Sequence, residues 1–380
     1  MMYRFKDTVT IYNGKDYKQI ESDSGFPVMG SGGLFAYASD YLYDGEAILL
    51  GRKGTIDKPL YYVGKFWSVD TMYYAVPKAG FNGKFLYYCA LNFPFLKYST
   101  ATALPSMTKS MLERFLIPNL EYAKQEAIAI YLDKECEKIE RRMKLLERKV
   151  DAYRRLKGSI INHAVTHGLN PDVPMKPSGL RWIRNVPEHW NIGRVRNYFD
   201  YRNEKVSEID FAPLSITKNG VVPQMENVAK SMAEGDSRKK VCKNDFVVNS
   251  RSDRKGSCGI SSFDGSVSLI YIVLETKIID PKFTGYYFRC NDWVEEFYRN
   301  GKGIVADLWT TNYSIMRNIE IALPPIAEQR EIAAYLDEKC SKIDAIVDKI
   351  GTQIERLKKL KRSLINEVVT GRRAVTSDVK

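Results

Sequence analysis

The 380-residue chain has only three histidines, His163, His167 and His189, and only six cysteines. Cys89, Cys136, Cys242, Cys258, Cys290 and Cys340 include no CxxC pair and lack the close spacing of a zinc site, so they read as reduced thiols. His163 and His167 fall near the end of one predicted helix and His189 in a PEHW stretch, an arrangement that suggests neither a catalytic triad nor a ligand cluster. Nowhere does the chain approach a run of about 18 uncharged apolar residues, and MMYRFKDTVTIYNGKD has no apolar leader core. Cytoplasmic residence is therefore expected. No GxxxxGK[ST] phosphate loop occurs, and GSGG at 30–33 has no helical pattern after it.

A charged tail is also missing. The net charge is +12 and the pI about 9.2, but residues 1–116, 117–178, 179–320 and 321–380 each carry a net +3. An excess spread this evenly suits a long, shallow contact with a rod-like polyanion.

What the chain does contain is a repeat. Residues 117–166 recur without a gap at 321–370, an offset of 204, with about 18 of 50 paired positions identical. The identities include Gln125/Gln329, Ile128/Ile332, Tyr131/Tyr335, Leu132/Leu336, Asp133/Asp337, Cys136/Cys340 and Asn162/Asn366. Both copies show heptad periodicity over about 40 residues, or roughly 60 Å of helix. In the first, Leu132, Cys136, Ile139, Met143, Leu146, Val150 and Tyr153 form an apolar seam; in the second, Leu336, Cys340, Ile343, Val347, Ile350, Ile354 and Leu357 do so. Pro324 and Pro325 mark a helix start, and Gly168 and Gly371 are placed as C-caps. Each helix is basic late, and the second is acidic early, so antiparallel pairing sets opposite charges against each other. Cys136 and Cys340 then read as buried small apolar residues. Lys157 and Lys361 fall at seam positions, either reaching a neighbouring carboxylate or lying at a solvated, fraying end.

Two segments of mixed pattern accompany the helices. Strands are expected at Ala47–Leu50, Lys65–Val76, Asp245–Asn249 and Ser266–Leu274, and helices at Phe85–Phe93 and Asp292–Arg299. The fold class is therefore α+β: two strand-rich modules separated by two long helices that pair as an antiparallel coiled coil, a pseudo-twofold internal repeat. The expected boundaries are a first module at 1–116, a spacer helix at 117–168, a Pro-rich linker at 169–190, a second module at 191–320, a second spacer helix at 321–371 and a tail at 372–380. AILLGRKGTIDKP at 47–59 echoes FVVNSRSDRKGSCG at 246–259, each an apolar strand running into a basic, Gly-containing loop. Basic and polar loop residues that suit contact with DNA phosphates and base edges are Arg52, Lys53, Lys58, Arg202, Lys205, Lys218, Asn249, Arg251, Arg254, Lys255 and Lys302. No asparagine-proline-proline-aromatic box and no clear aspartate…glutamate-x-lysine nuclease pattern is present.

LPPIAEQREIAAYLDEKCSKIDAIV at 323–347, its partner at 119–143, and PSGLRWIRNVPEHW at 177–190 resemble the specificity subunit of a type I restriction–modification system, over nearly the whole chain. The resemblance implies two target-recognition domains, each reading one half of a bipartite asymmetric DNA site, with the helices setting the spacer. It also implies partners: two modification subunits that use S-adenosylmethionine to methylate adenine N6, and restriction subunits that hydrolyse ATP with magnesium and cleave DNA. No cofactor or metal is expected on this chain, which would be non-catalytic. The alternative left open by the residues is a DNA-binding protein with its own unrecognised nuclease or methyltransferase site. The first module lacks the tryptophan-containing lead-in of the second, which leaves a shorter first domain or a start further upstream. Lys124 also stands where the second helix has Glu328, so the first helix is expected to make a weaker or different contact with a modification subunit.

Overall fold

Ala47, Ile48, Leu49 and Leu50 are all fully buried, and strand alternation sends them to opposite faces of one sheet. Ile48 and Leu50 join a core with Phe5, Phe85 and Leu86, whereas Ala47 and Leu49 join one with Val28, Phe66 and Met72. The computed structural model describes residues 2–99, 105–224, 238–276, 278–303 and 309–375. Its strands begin with β1 (Met2–Arg4), β2 (Val9–Asn13), β3 (Glu21–Ser22), β4 (Phe26–Gly30) and β5 (Gly33–Ala38). They continue with β6 (Tyr43–Gly51), β7 (Leu60–Ser68) and β8 (Met72–Pro77). Seven of these form a sheet in the order β2-β8-β6-β7-β4-β5-β3, antiparallel except between β4 and β7. The strand expected at Lys65–Val76 is two strands, because the chain reverses between Ser68 and Met72, where Met72 N donates to Val69 O at 3.0 Å. Helix α1 (Gly83–Ala90) covers one face, capped by Asn82, whose Oδ1 accepts from Phe85 N at 2.9 Å. Strand β9 (Leu116–Pro118) returns to pair with β1, and α2 (Tyr122–His167) follows as a single helix of 46 residues.

The second module is built from smaller sheets. After α2, Gly168 adopts φ +77°, the left-handed C-cap that glycine accepts without strain. Strands β10 (Met175–Pro177) and β11 (Asn185–Pro187) form a hairpin, so the Pro-rich linker is ordered. It ends at Trp190, 1% exposed and in one core with Ala164 and Val165. Then come β12 (Asn191–Arg194), β13 (Asp200–Tyr201), β14 (Lys205–Val206), β15 (Leu214–Thr217) and β16 (Gly220–Pro223). β17 (Arg238–Val241), β18 (Phe246–Asn249), β19 (Cys258–Ile260), β20 (Gly265–Ser268), β21 (Tyr271–Glu275) and β22 (Glu320–Leu323) complete the set. The run Ser266–Leu274 is likewise split between two strands, which belong to different sheets, β14-β17-β20 and β13-β21-β18-β19. β18 divides its side chains as β6 does: Phe246 and Val248 enter one core and Val247 another. Helices α3 (Pro281–Tyr287) and α4 (Asn291–Arg299) pack into the first of these cores, and β22 pairs with β12 before α5 (Ile326–Val369), a helix of 44 residues.

The chain forms two compact units, Met1–Arg148 with Ile350–Lys380, and Lys149–Lys349. Each long helix therefore contributes one half to each unit. In the first unit Ile128, Ala129, Leu132 and Cys136 pack with Leu364, Ile365, Val368 and Val369, and Lys361 Nζ meets Glu140 Oε1 at 2.5 Å. In the second, Ala164 and Val165 pack with Ile332, Ala333 and Leu336, and Lys157 Nζ meets Asp344 Oδ2 at 2.7 Å. Within either unit, going forward along one helix goes backward along the other, so the pairing is antiparallel. Both seam lysines reach a carboxylate across the pair. The middle of the seam, Met143, Leu146, Val150, Tyr153, Val347, Ile354 and Leu357, is only half-buried, while Ile343 and Ile350 are buried. Two helices alone shield each other on one side only. Among the described residues, no helix is long and apolar enough to cross a membrane.

Candidate nucleic-acid interface

In the first unit β6 ends in a loop whose backbone is anchored on both sides. Arg52 N donates to Thr71 O at 2.9 Å, and Arg52 O accepts from Met107 N at 2.9 Å. Lys53 forms an isolated bridge with Ser106. The Arg52 guanidinium reaches Asp70 O at 3.4 Å and lies 5.9 Å from the Tyr73 ring centroid, while Lys53 and Lys58 are exposed.

The second unit builds its loop the same way. Ser250 O accepts from Thr311 N at 3.0 Å, and Arg251 bridges Thr310. Ser106 and Met107 precede the first repeat copy by the same distance that Thr310 and Thr311 precede the second, so the two loops rest on backbone at matching positions. Here a third segment joins: Lys302 pairs with Thr310 from the other side, through bonds of 3.2 and 3.0 Å. Arg251 and Lys302 thus flank Thr310, beside Trp309, which is 38% exposed. Asp253 holds both Arg251 (3.1 Å) and Arg254 (3.6 Å), and Lys255 is paired with Glu295 at 2.6 Å. Burial pushes the Tyr271 phenol up, opposed by the Arg254, Arg238 and Arg251 guanidiniums around it. Lys205 and Lys218 are exposed.

Two predicted contacts do not lie on that surface. Asn249 is 4% exposed; its Oδ1 accepts from Arg251 N at 3.1 Å and its carbonyl accepts from Tyr298 Oη at 2.8 Å. It shapes the loop from beneath, because it is the last residue of a strand buried on both faces. Arg202 is committed to buried Asp245 through bonds of 2.7 and 3.2 Å, with Glu275 at 3.4 Å, and this pairing pushes its guanidinium up despite burial. Trp309 was missed by sequence reasoning, since it is pairing of the next residue, Thr310, with Arg251 that brings it to this loop from 58 positions away. Also missed was Arg181, which with Arg194, Lys302 and Trp182 lines an open cleft of about 650 Å³.

The lead-in before the second module has a definite anchor. Glu328 accepts from Trp190 Nε1 at 3.1 Å and meets His189 Nε2 at 2.7 Å. Lys124, at the matching position of α2, is exposed. All six cysteines are free, and burial pushes the Cys258 and Cys290 thiols up to about 12, leaving them protonated and unreactive at neutral pH. Among the described residues, no group of three or more His, Cys, Asp or Glu could hold a metal ion.

Two strand-rich modules, each with a basic loop and each carried on halves of two long helices, are the architecture of a DNA-recognition protein. The chain belongs to the type I restriction modification DNA specificity domain family, whose model matches residues 1–147 and 187–356. It is similar to a putative type I restriction enzyme specificity subunit from Haemophilus influenzae, 22% identical over 345 residues that span 88% of this chain and 85% of the relative. The specificity subunit of the type I restriction enzyme MjaVIII from Methanocaldococcus jannaschii is 25% identical over 202 residues, 50% of this chain and 44% of that protein. The fold is shared, with a TM-score of 0.69 at 14% identity and 97% coverage of both chains, with a chain from a structure of type I restriction–modification complex assembly and conformational transition.

Proposed function

We propose that this chain is the non-catalytic reading subunit of a cytoplasmic type I restriction–modification complex. Each domain reads one half of a bipartite asymmetric DNA site. The paired helices set the spacer and dock two modification subunits, which bring S-adenosylmethionine and methylate adenine N6. Restriction subunits supply ATP- and magnesium-dependent cleavage. The observation that carries this reading is the pair of basic loops, Arg52/Lys53 and Arg251/Arg254, held by matching backbone bonds just ahead of each repeat copy, in modules whose sheets otherwise differ. A common frame with different side chains is what reading two different half-sites requires. Helices of 46 and 44 residues supply about 65–70 Å of rise, near two turns of B-DNA at roughly 34 Å each.

Purified chain titrated with duplex DNA should bind with an affinity that falls steeply with salt, and methylation should appear only when modification subunits are added. Turnover of DNA by the chain alone, with magnesium or S-adenosylmethionine, would overturn the non-catalytic assignment. A flat, salt-insensitive titration would instead make the chain a scaffold without a DNA role.

A further inference from the structure

The residues shared by the two repeat copies near their helix starts are engaged inside each unit. Gln125 and Gln329 are 1% and 3% exposed. Gln125 Oε1 accepts from Asn82 N at 2.9 Å and its Nε2 donates to Leu120 O at 2.8 Å. In the other unit Gln329 Oε1 accepts from Asp280 N at 2.9 Å and its Nε2 donates to Pro324 O at 2.9 Å. Asn82 and Asp280 are the N-caps of α1 and α3, so each glutamine ties the start of a short helix to the start of a long one. Two turns along, a second tie repeats. Asp133 accepts from Tyr88 Oη at 2.5 Å and pairs with Lys84 at 3.3 Å. Asp337 accepts from Tyr286 Oη at 2.8 Å and pairs with Lys282 at 2.9 Å.

Each short helix in turn holds the strand that ends in a candidate reading loop. Phe85 and Leu86 of α1 share a core with Ile48 and Leu50 of β6, and Phe283 and Tyr287 of α3 share one with Phe246 and Val248 of β18. The linkage runs from long helix through the two polar ties to short helix, strand and loop. Apolar contacts alone would tolerate sliding of α1 or α3 on its long helix. A buried amide and a tyrosine–carboxylate bond, each with narrow directional preferences, select one orientation.

Resting on the reading that the two domains recognise half-sites at a set spacing, we propose that Gln125, Tyr88 and Asp133, with Gln329, Tyr286 and Asp337, are positioning residues that fix the spacer length the protein accepts. A domain of this size has a radius of roughly 15–20 Å, so a tilt of about 10° on its helix moves the loop by about 3 Å, close to one base-pair step of 3.4 Å. Loosening a clamp lets the domain reach neighbouring spacers without altering which bases its loop contacts.

The test uses the full chain assembled with modification subunits, and a DNA library that holds both half-sites at spacers from two base pairs shorter to two longer, read by adenine methylation. The wild-type assembly should mark one spacer. Gln329→Leu combined with Tyr286→Phe should raise methylation at the adjacent spacers, relative to the native one, by about tenfold, with both half-site sequences unchanged. Asp337→Lys should do the same, and adding Lys282→Asp to restore the pair should return the single spacer. Tyr286→Phe alone keeps the ring packing and serves where the double variant folds poorly. Retention of the native spacer by all variants, or an equal fall at every spacer with none gained, overturns the positioning role. A wild-type assembly that marks no two-part site overturns the reading on which it rests.

Discussion

Arg251 and Arg254 share one carboxylate, Asp253, and both are exposed, so their charge is available to a phosphate approaching from solvent. Replacing both by Glu should weaken DNA binding about tenfold to a hundredfold at moderate salt and flatten the log–log salt dependence by about two contacts. Fluorescence anisotropy at several salt concentrations measures both quantities, and an unchanged slope would take this loop out of the interface. Exposure separates these arginines from Arg202, another basic residue expected to contact DNA. A guanidinium locked on buried Asp245 is already paid for in the fold, and a basic residue type alone does not distinguish the two situations.

The long helices show how an element can be legible in outline and hidden in detail. Heptad spacing, late basic clusters and glycine stops indicate two helices, their direction and their ends, because these features are local in the chain. The ion pairs Lys157–Asp344 and Lys361–Glu140 match that direction. What periodicity does not show is that the first turns of each seam are buried against a globular module as much as against the other helix: Leu132 lies among Phe85 and Leu86, and Leu336 among Phe283 and Tyr287. Removing one heptad from both helices, at 143–149 and 347–353, takes out about 10 Å of rise from the middle of the seam and spares both clamps. The methylated motif should then have a spacer shorter by about three base pairs at 3.4 Å each, or assembly should fail. An unaltered spacer would show that the helices are not the ruler.

At the scale of the whole molecule, the repeat separates what is shared from what differs. The frame that carries each loop uses related residues in both units, whereas the sheets around it differ, seven strands in one and several small sheets in the other. Exchanging residues 179–320 for the same region of a relative should change one half of the methylated motif and leave the other intact. Sequencing that detects modified adenines in host DNA reads this directly, and a change in both halves would refute independent reading.

The sequence by itself determined the two helices, their antiparallel direction, the strand-rich modules and the family resemblance, because helical period, charge order and the offset of 204 are all written along the chain. Only the tertiary structure decided which basic residues face solvent, that Asn249 supports its loop from beneath, and that Thr310 pairs with both Arg251 and Lys302. It also decided that Gln125 and Gln329 tie each module to its helix. These outcomes depend on pairing between segments far apart in the chain, where burial and hydrogen-bond geometry assign a side chain its task and residue type does not.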